Sequence, residues 1–201
     1  MRPRESLFFR NMSKAILDFE AEALWEAASQ VPEGGSIVEI GSYKGSSTYA
    51  MALSCMDRNV KIYAVDTWMG SPGGIEEWGP KRGVLSAGSY FPEFKANLKE
   101  MIDADIVIPL EMSSAGALMY EPRLEPHFIF IDGSHVYEDV LFDLTYWWER
   151  LQPNGILALH DSSSDLRWHP QVKRALDRFM EMRQLELFGP LIGSISWLRK
   201  Q

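Results

Sequence analysis

Two short segments each place an aspartate and a histidine directly after an apolar run. Asp132 and His135 follow the run 128–131, and His160 and Asp161 follow the run 156–159. If both runs are neighbouring parallel strands, Asp132 and Asp161 meet at one edge of the sheet. Two carboxylates with open water positions suit a hard cation such as Mg²⁺ or Ca²⁺, which would bind a substrate hydroxyl and lower its pKa. We therefore predict Asp132 and Asp161 as metal ligands.

The role of His160 is left open by its neighbours. It is a candidate third metal neighbour, a residue that contacts the ligands without binding the metal, or an ordinary strand residue. Ser162 is an equally good candidate to complete the coordination shell. His135 is the candidate general base, because an imidazole accepts a hydroxyl proton near neutral pH. The alternative for His135 is a structural hydrogen bond at a helix start, but the adjacent aspartates favour catalysis. His127 and His169 show no such grouping.

A second candidate site lies at the turn after the run 36–40. Gly41 and Gly45 bracket this turn, which connects a strand to a helix and so offers bare backbone to a nucleotide-type ligand. A dinucleotide site needs glycine where this chain has Tyr43, so pyrophosphate fits poorly. Glu39 is costly in an apolar strand unless it is paired. We predict a cationic ligand group such as a methionyl ammonium as its partner, with a Lys or Arg elsewhere in the chain, such as Lys44, as the alternative.

The next strand ends in Asp66, 25 residues beyond Gly41, a spacing at which a carboxylate can accept both ribose hydroxyls. Trp68 is interpreted either as a cover for an adenine ring or as a packing residue. Ser113 either touches the adenine edge or caps a helix. The predicted cofactor-binding set is Glu39, Gly41, Ser42, Tyr43, Gly45, Ser47, Asp66, Thr67, Trp68, Ser113 and Asp132.

The elements that must position these residues alternate between strand and helix. Short apolar runs predict strands at 36–40, 61–65, 106–110, 128–131 and 156–159, with helices predicted at 46–56, 91–101, 114–119, 136–151 and 172–183. This order is typical of an α/β domain with parallel crossovers. Runs at 185–188 and 195–198 predict an antiparallel hairpin at the sheet edge.

The flanks of this pattern carry further expectations. Segment 13–31 predicts a leading helix capped by Ser13, with Phe19, Leu24 and Ala27 on its apolar face, and residues 1–35 are expected to pack on the single domain 36–201. The helix at 136–151 is expected to expose Asp143. The Gly/Pro-rich stretch from Gly70 to Tyr90 is expected to be a lid or binding loop.

Bulk composition excludes several classes of protein. The chain has 201 residues, a net charge of −8 and a pI near 5.1, which argues against binding nucleic acid or an anionic membrane. Lys173, Arg174, Arg178 and Arg183 are interpreted as the solvated face of a helix. The single Cys55 and the lack of a long apolar run lead us to expect a soluble, cytoplasmic protein that acts on a small molecule. A homodimer is compatible with the sequence.

Between Ser36 and Phe179 the sequence resembles a known group, the class I methyltransferases that include macrocin-type and mycinamicin-type sugar O-methyltransferases and their cephalosporin-hydroxylase-like relatives. The segments that carry this resemblance are 131–138, 151–156, His160-Asp161 and 172–175. The resemblance implies a Rossmann-like α/β fold: a seven-stranded, mostly parallel sheet with an antiparallel C-terminal strand and helices on both faces.

The same resemblance implies function. It implies S-adenosylmethionine as the methyl donor and, as in the macrolide-sugar members, Mg²⁺ with a histidine base. Asp132 and Asp161 match metal ligands and His135 matches the base, whereas His160 stands where those members have a carboxylate. The expected function is O-methylation of a hydroxyl on a sugar or natural product. The alternatives are an NAD-type oxidoreductase, against which Tyr43 argues, and a non-catalytic cofactor-binding or assembly protein.

Overall fold

The computed structural model describes residues 1–70, 89–163 and 169–201. Most of the stretch Gly70–Tyr90, expected above to form a lid or binding loop, lies outside the described residues. A short 3₁₀ turn, Pro3–Glu5, precedes the main elements. In chain order these are α1 (Leu7–Asn11), α2 (Asp18–Ser29), β1 (Ser36–Ile40), α3 (Ser46–Cys55), β2 (Lys61–Asp66), α4 (Phe91–Asn97), α5 (Lys99–Asp103), β3 (Val107–Glu111), α6 (Ser114–Tyr120), β4 (Phe128–Ile131), α7 (Tyr137–Arg150), β5 (Ile156–Leu159), α8 (Pro170–Arg183) and β6 (Ser196–Arg199).

The strands of the described residues form one sheet of six, in the order β3-β2-β1-β4-β5-β6. Strands β1 to β5 are parallel and β6 runs antiparallel to β5, with Leu157 opposite Leu198. This arrangement confirms the α/β, Rossmann-like class and the reversed last strand. The expectation of a seventh strand is wrong. Segment 185–188, which was expected to supply it, is irregular and contacts β6 through a backbone hydrogen bond from Phe188 N–H to Trp197 O.

Two apolar layers cover the two faces of the sheet, because successive side chains of a strand point to opposite faces. Along β1, Ile37 belongs to a buried cluster with α2 and α3, while Val38 and Ile40 belong to a second cluster with α7 and α8. Glu39 therefore lies on the same face as Ile37. The buried side chains of α7 and its C-cap are Val140, Leu144, Trp147, Trp148 and Leu151.

The leading helix differs from its prediction in both start and orientation. Helix α2 begins at Asp18 rather than near Ser13, and the backbone N–H of Leu17 donates to the carboxylate of Glu20. Phe19, placed on the apolar face from the sequence, is 53% exposed, whereas Glu20 is buried. The helix is turned this way because Glu20 has partners inside the protein, so the more polar residue is the one that enters the core.

Two more local predictions need correction. The helix expected at 91–101 is interrupted at Leu98 and gives two short helices, α4 and α5. Asp143, expected on the solvent face of α7, is only 4% exposed. The solvated basic face of α8 is confirmed: Lys173 pairs with Asp177, Arg178 with Glu181, and Arg183 with Glu149. In the described part of the chain, no helix is long and apolar enough to cross a membrane.

Candidate active site

The candidate site lies where the parallel strands end at the carboxyl edge of the sheet. Strand order reverses between β1 and β4, and open α/β sheets bind ligands in the crevice at such a switch point. A cavity of about 1370 Å³ opens there. Sites for one small molecule usually measure roughly 300–1,000 Å³, so this cavity has room for two reactants. The predicted site residues that line it are Gly41, Ser42, Tyr43, Ser47, Asp66, Thr67, Trp68, Ser113, Asp132, His135, His160 and Asp161.

The turn after β1 brings the two halves of the cavity together. Gly41 has φ +89°, and a Cβ atom at this position would lie 2.2 Å from the carbonyl oxygen of Asp132. Only glycine therefore allows the β1 turn to lie against the β4 turn. Gly45, which precedes α3, packs against Leu98 and does not line the cavity.

Glu39 is fully buried and does not line the cavity. Its carboxylate accepts hydrogen bonds from the hydroxyls of Ser42, at 2.8 Å, and of Thr48. Burial raises the pKa of Glu39 to about 7, although hydrogen bonds from Ser47, Thr48 and Ser42 oppose the rise. Lys44, the alternative partner, pairs instead with Glu93 at 2.9 Å. Glu39 thus ties the β1 turn to α3, and its contact with a ligand ammonium stays a prediction.

Asp66 at the end of β2 holds the opposite side of the turn. One carboxylate oxygen accepts the backbone N–H of Tyr43 at 2.8 Å, and the other accepts that of Trp68 at 2.7 Å. Burial raises the pKa of Asp66, and these backbone donors oppose the rise. Each carboxylate oxygen has a second lone pair for a ligand hydroxyl.

Trp68 and Ser113 both have structural partners. The Trp68 side chain is 1% exposed, donates from its indole N–H to the Tyr43 carbonyl, and packs against Phe91 and Phe94. This geometry suits the packing role more than an adenine cover. Ser113 caps α6 by accepting the backbone N–H of Gly116, while still lining the cavity.

Asp143 is a buried carboxylate that sequence reasoning placed in solvent. It accepts the hydroxyl of Ser114, which in turn accepts the indole N–H of Trp147 at 2.7 Å. Burial raises the pKa of Asp143 to about 7, with the Ser114 hydrogen bond opposing the rise. The three residues join α6 to α7 at the cavity wall. The helical periodicity of α7 places Asp143 on the solvent face and does not predict this network, because the hydroxyl that hydrogen-bonds to Asp143 comes from another helix.

The opposite end of the cavity is built around Asp161. Its Oδ2 atom lies 3.1 Å from His135 Nε2, 3.4 Å from His160 Nδ1 and 3.7 Å from His169 Nε2. Asp132 Oδ1 lies 3.0 Å from His160 Nδ1. The strand-end aspartates and both motif histidines therefore do meet, as their spacing predicts.

Charge interactions dominate this end of the cavity. Burial works to raise the pKa of Asp161, but hydrogen bonds with His135 and His160 hold it below its usual range. Burial likewise works to lower the pKa of His160, and the charges of Asp132, Asp161 and Glu20 outweigh it and raise that pKa above its usual range. The carboxylates therefore strongly favour positive charge at this point.

Two residues of this cluster were missed from the sequence. His169, set aside above, stacks on His135 with ring centroids 3.8 Å apart. Glu20 of α2 lies 3.4 Å from His160 Nε2 and 140 residues away in the chain. The one available signal for Glu20 was a carboxylate three residues after Leu17 at a helix start, the spacing of a capping interaction.

Comparison with known proteins agrees with this geometry. A family model described as a methyltransferase domain matches residues 38–162, from β1 to the end of the β5 motif. The chain belongs to this methyltransferase family. The match confirms the resemblance noted from the sequence and spans both halves of the cavity.

One curated relative of this chain is the uncharacterized protein y4gI of Sinorhizobium fredii (strain NBRC 101917 / NGR234). The two are 26% identical over 129 residues, which are 63% of this chain and 13% of that protein. The chain thus matches only a small part of that relative's length.

Solved structures show the same fold. The O-methyltransferase NovP has a TM-score of 0.73 at 18% identity, and the match covers 100% of this chain and 88% of NovP. The calicheamicin methyltransferase CalS11 has a TM-score of 0.70 at 20% identity, covering 90% and 77%. A Bacillus cereus O-methyltransferase in complex with SAH has a TM-score of 0.63 at 14% identity, covering 95% and 85%.

Proposed function

We propose that this protein is an S-adenosylmethionine-dependent O-methyltransferase that acts on a hydroxyl of a small molecule of the sugar or natural-product type. The observation that carries the proposal is one continuous cavity with two chemically different ends. The glycine turn and Asp66 form one end, and Asp132, His135 and Asp161 form the other. A nucleoside-type donor and a hydroxyl acceptor would therefore meet between them.

The donor end fits a cofactor with a ribose and no pyrophosphate. S-adenosylmethionine supplies an electrophilic methyl group on a sulfonium, which an oxygen nucleophile takes by in-line displacement. Asp66 is already fixed by two backbone N–H groups, so its remaining lone pairs are oriented before a ribose arrives. The close approach of Gly41 to Asp132 keeps the β1 turn against the acceptor end. Alignment of this kind can lower the activation barrier by roughly 7–11 kcal/mol.

At the acceptor end, His135 is proposed as the general base. An ionised carboxylate can only accept hydrogen bonds, so His135 Nε2 carries the hydrogen that faces Asp161. The imidazole of His135, which lines the cavity, would take the acceptor's hydroxyl proton. Asp161 stabilises the imidazolium that results, as the carboxylate does in a catalytic triad.

A divalent cation such as Mg²⁺ fits the same end. Asp132, His160 and Asp161 each offer a ligand atom within 4.8 Å of the others. Such an ion would bind the acceptor oxygen and lower the pKa of its hydroxyl. The sugar-type acceptor is proposed by analogy with the structural neighbour CalS11, a TDP-rhamnose 3'-O-methyltransferase.

The proposal is tested by binding and turnover together. Calorimetric titrations with S-adenosylmethionine and with NADH should show binding of the first only, and Asp66→Ala should weaken it by tenfold or more, the loss of about 1.5–3 kcal/mol for hydrogen bonds to a charged group. Formation of S-adenosylhomocysteine is then followed with a panel of nucleotide sugars, glycosides and phenols.

Two outcomes would contradict the proposal. Tight NADH binding would favour an oxidoreductase. Tight binding of S-adenosylmethionine without methyl transfer to any acceptor in the panel would favour a non-catalytic cofactor-binding protein.

A further inference from the structure

His160 is enclosed by three carboxylates from three parts of the chain. Its Nδ1 atom lies 3.0 Å from Asp132 Oδ1 and 3.4 Å from Asp161 Oδ2, and its Nε2 atom lies 3.4 Å from Glu20 Oε2. The side chains of His160 and Glu20 are 8% and 2% exposed. Solvent therefore does little to offset the negative charge around this imidazole.

Glu20 is held as a hydrogen-bond acceptor. Its Oε1 atom accepts the backbone N–H of Ser194 at 2.8 Å and the Ser194 hydroxyl at 3.0 Å, and its Oε2 atom accepts the backbone N–H of Leu17 at 2.9 Å. Three donors fix the Glu20 carboxylate as an acceptor, so His160 Nε2 carries a hydrogen that faces Glu20. In the neutral ring this leaves the lone pair on Nδ1.

That lone pair faces two more carboxylates. Nδ1 is buried and makes no well-directed hydrogen bond within the described residues, although Asp132 Oδ1 is only 3.0 Å away. Atoms arranged in this way repel one another unless a proton or a metal ion lies between them, and a metal ion that binds here displaces the proton. Two ligand atoms at right angles on one metal ion, each about 2.1 Å from it, are about 3.0 Å apart. The spacing of Nδ1 and Oδ1 thus allows both atoms to bind one ion once the ring is neutral.

The type of donor decides which ion fits. Mg²⁺ prefers oxygen ligands in a strict octahedron and retains its waters, whereas an imidazole nitrogen suits the transition metals. Metal-binding histidines usually donate their second N–H to a carboxylate, which fixes the ring and raises its basicity. Glu20 occupies that position towards His160.

We infer that Glu20 and His160 tune this site for a divalent transition-metal ion of the Mn²⁺ to Zn²⁺ series in preference to Mg²⁺. His160 Nδ1, Asp132 and Asp161 are the ligands, and Glu20 is the positioning residue that aims the ring. This inference rests on the metal site of the proposed function and changes the ion expected there.

The test measures metal binding directly. The full chain is stripped of metal, and Co²⁺ and Mg²⁺ are titrated by calorimetry, with the visible absorption of bound Co²⁺ as a second readout. We expect Co²⁺ to bind the unmodified protein about 100-fold or more tightly than Mg²⁺. Equal affinities for the two ions would overturn the inference. So would a Kd for Co²⁺ of about 1 mM or weaker, as at a surface site; neither result needs a variant.

Variants then separate the roles of the two residues. His160→Asp should reduce the preference for Co²⁺ over Mg²⁺ at least tenfold, because it restores an oxygen ligand. Glu20→Gln should weaken Co²⁺ binding by about 10- to 100-fold. Glu22→Gln is the matched control on α2, since Glu22 pairs with Arg2 and not with the site, and it should leave both affinities unchanged.

Two controls distinguish a loss of metal binding from a loss of folding and from a loss of cofactor binding. Thermal unfolding of each variant shows whether it is folded, and an unchanged Co²⁺ affinity in folded His160→Asp would contradict the ligand assignment. Binding of S-adenosylmethionine is titrated in the same samples. Failure of the metal test with cofactor binding intact would leave the proposed methyl transfer standing.

Discussion

At the scale of single residues, the proposed acceptor end of the cavity contains the imidazole of His135. Its Nε2 lies 3.1 Å from Asp161, and it stacks on His169, so the ring is held from two sides. The ring is thus held in one orientation, as the proposed role of general base requires, and general bases typically contribute about 10²–10⁴-fold to a rate. The structure thus offers a residue whose removal should affect chemistry and not donor binding.

We predict that His135→Ala lowers kcat for methyl transfer by about 100- to 10,000-fold while leaving the Kd for S-adenosylhomocysteine unchanged. Turnover is measured as S-adenosylhomocysteine formation with an acceptor found in the panel above. His127→Ala is the control, because His127 precedes β4 and so lies at the opposite edge of the sheet. Full turnover in His135→Ala would remove the base assignment.

At the scale of elements, the β1 turn and the β4 turn are in contact through Gly41. A side chain here meets two penalties, since φ is +89° and the Cβ would lie 2.2 Å from a backbone oxygen that cannot rotate away. Gly34 isolates the first penalty, because its φ is +76° and a Cβ there has nothing within 4 Å. The chain therefore contains its own control for backbone conformation.

We predict that Gly34→Ala lowers the free energy of unfolding by about 1–2 kcal/mol, the cost of a left-handed conformation. Gly41→Ala should lower it by more and should also weaken S-adenosylhomocysteine binding, because the two turns must separate. Urea unfolding and calorimetry measure the two effects. Equal losses of stability in both variants would show that the β1 turn relaxes away from Asp132 without cost.

At the scale of the whole molecule, the N-terminal segment shares its core with the sheet. Leu24 of α2 is fully buried in the same apolar cluster as Ala50 of α3 and Ile62 of β2. Glu20 adds a polar connection from α2 to Ser194 and His160. Residues 1–35 are therefore expected to unfold together with the rest of the domain.

We predict that Leu24→Ala lowers the free energy of unfolding by about 2–5 kcal/mol in a single cooperative transition. Phe19→Ala on the same helix should change it by less than about 0.5 kcal/mol, because Phe19 is 53% exposed. Circular dichroism and tryptophan fluorescence should give coincident curves. An early, separate transition in Leu24→Ala would instead mark the N-terminal segment as an independent unit.

Local sequence determined much of this protein. Apolar runs bounded by glycine and proline predicted five of the six strands of the described residues to within a residue or so, since buried parallel strands need such runs. Because parallel strands end at one edge, the positions of Asp66, Asp132 and Asp161 relative to the cavity followed from their place after a strand. The last strand was also located, although its expected partner at 185–188 did not form.

Only the tertiary structure decided which distant groups met. The partners of Glu20 and Asp143 come from other elements, so hydrophobic periodicity assigned neither residue to the interior. His169 joined the site because the start of α8 lies beside the β4 turn, a juxtaposition that no local spacing encodes. The sequence by itself determined the strands, the glycine turn and the residues at the sheet edge, because these depend on near neighbours. The environment of His160, and with it the ion expected there, depended on burial and on a carboxylate 140 residues away.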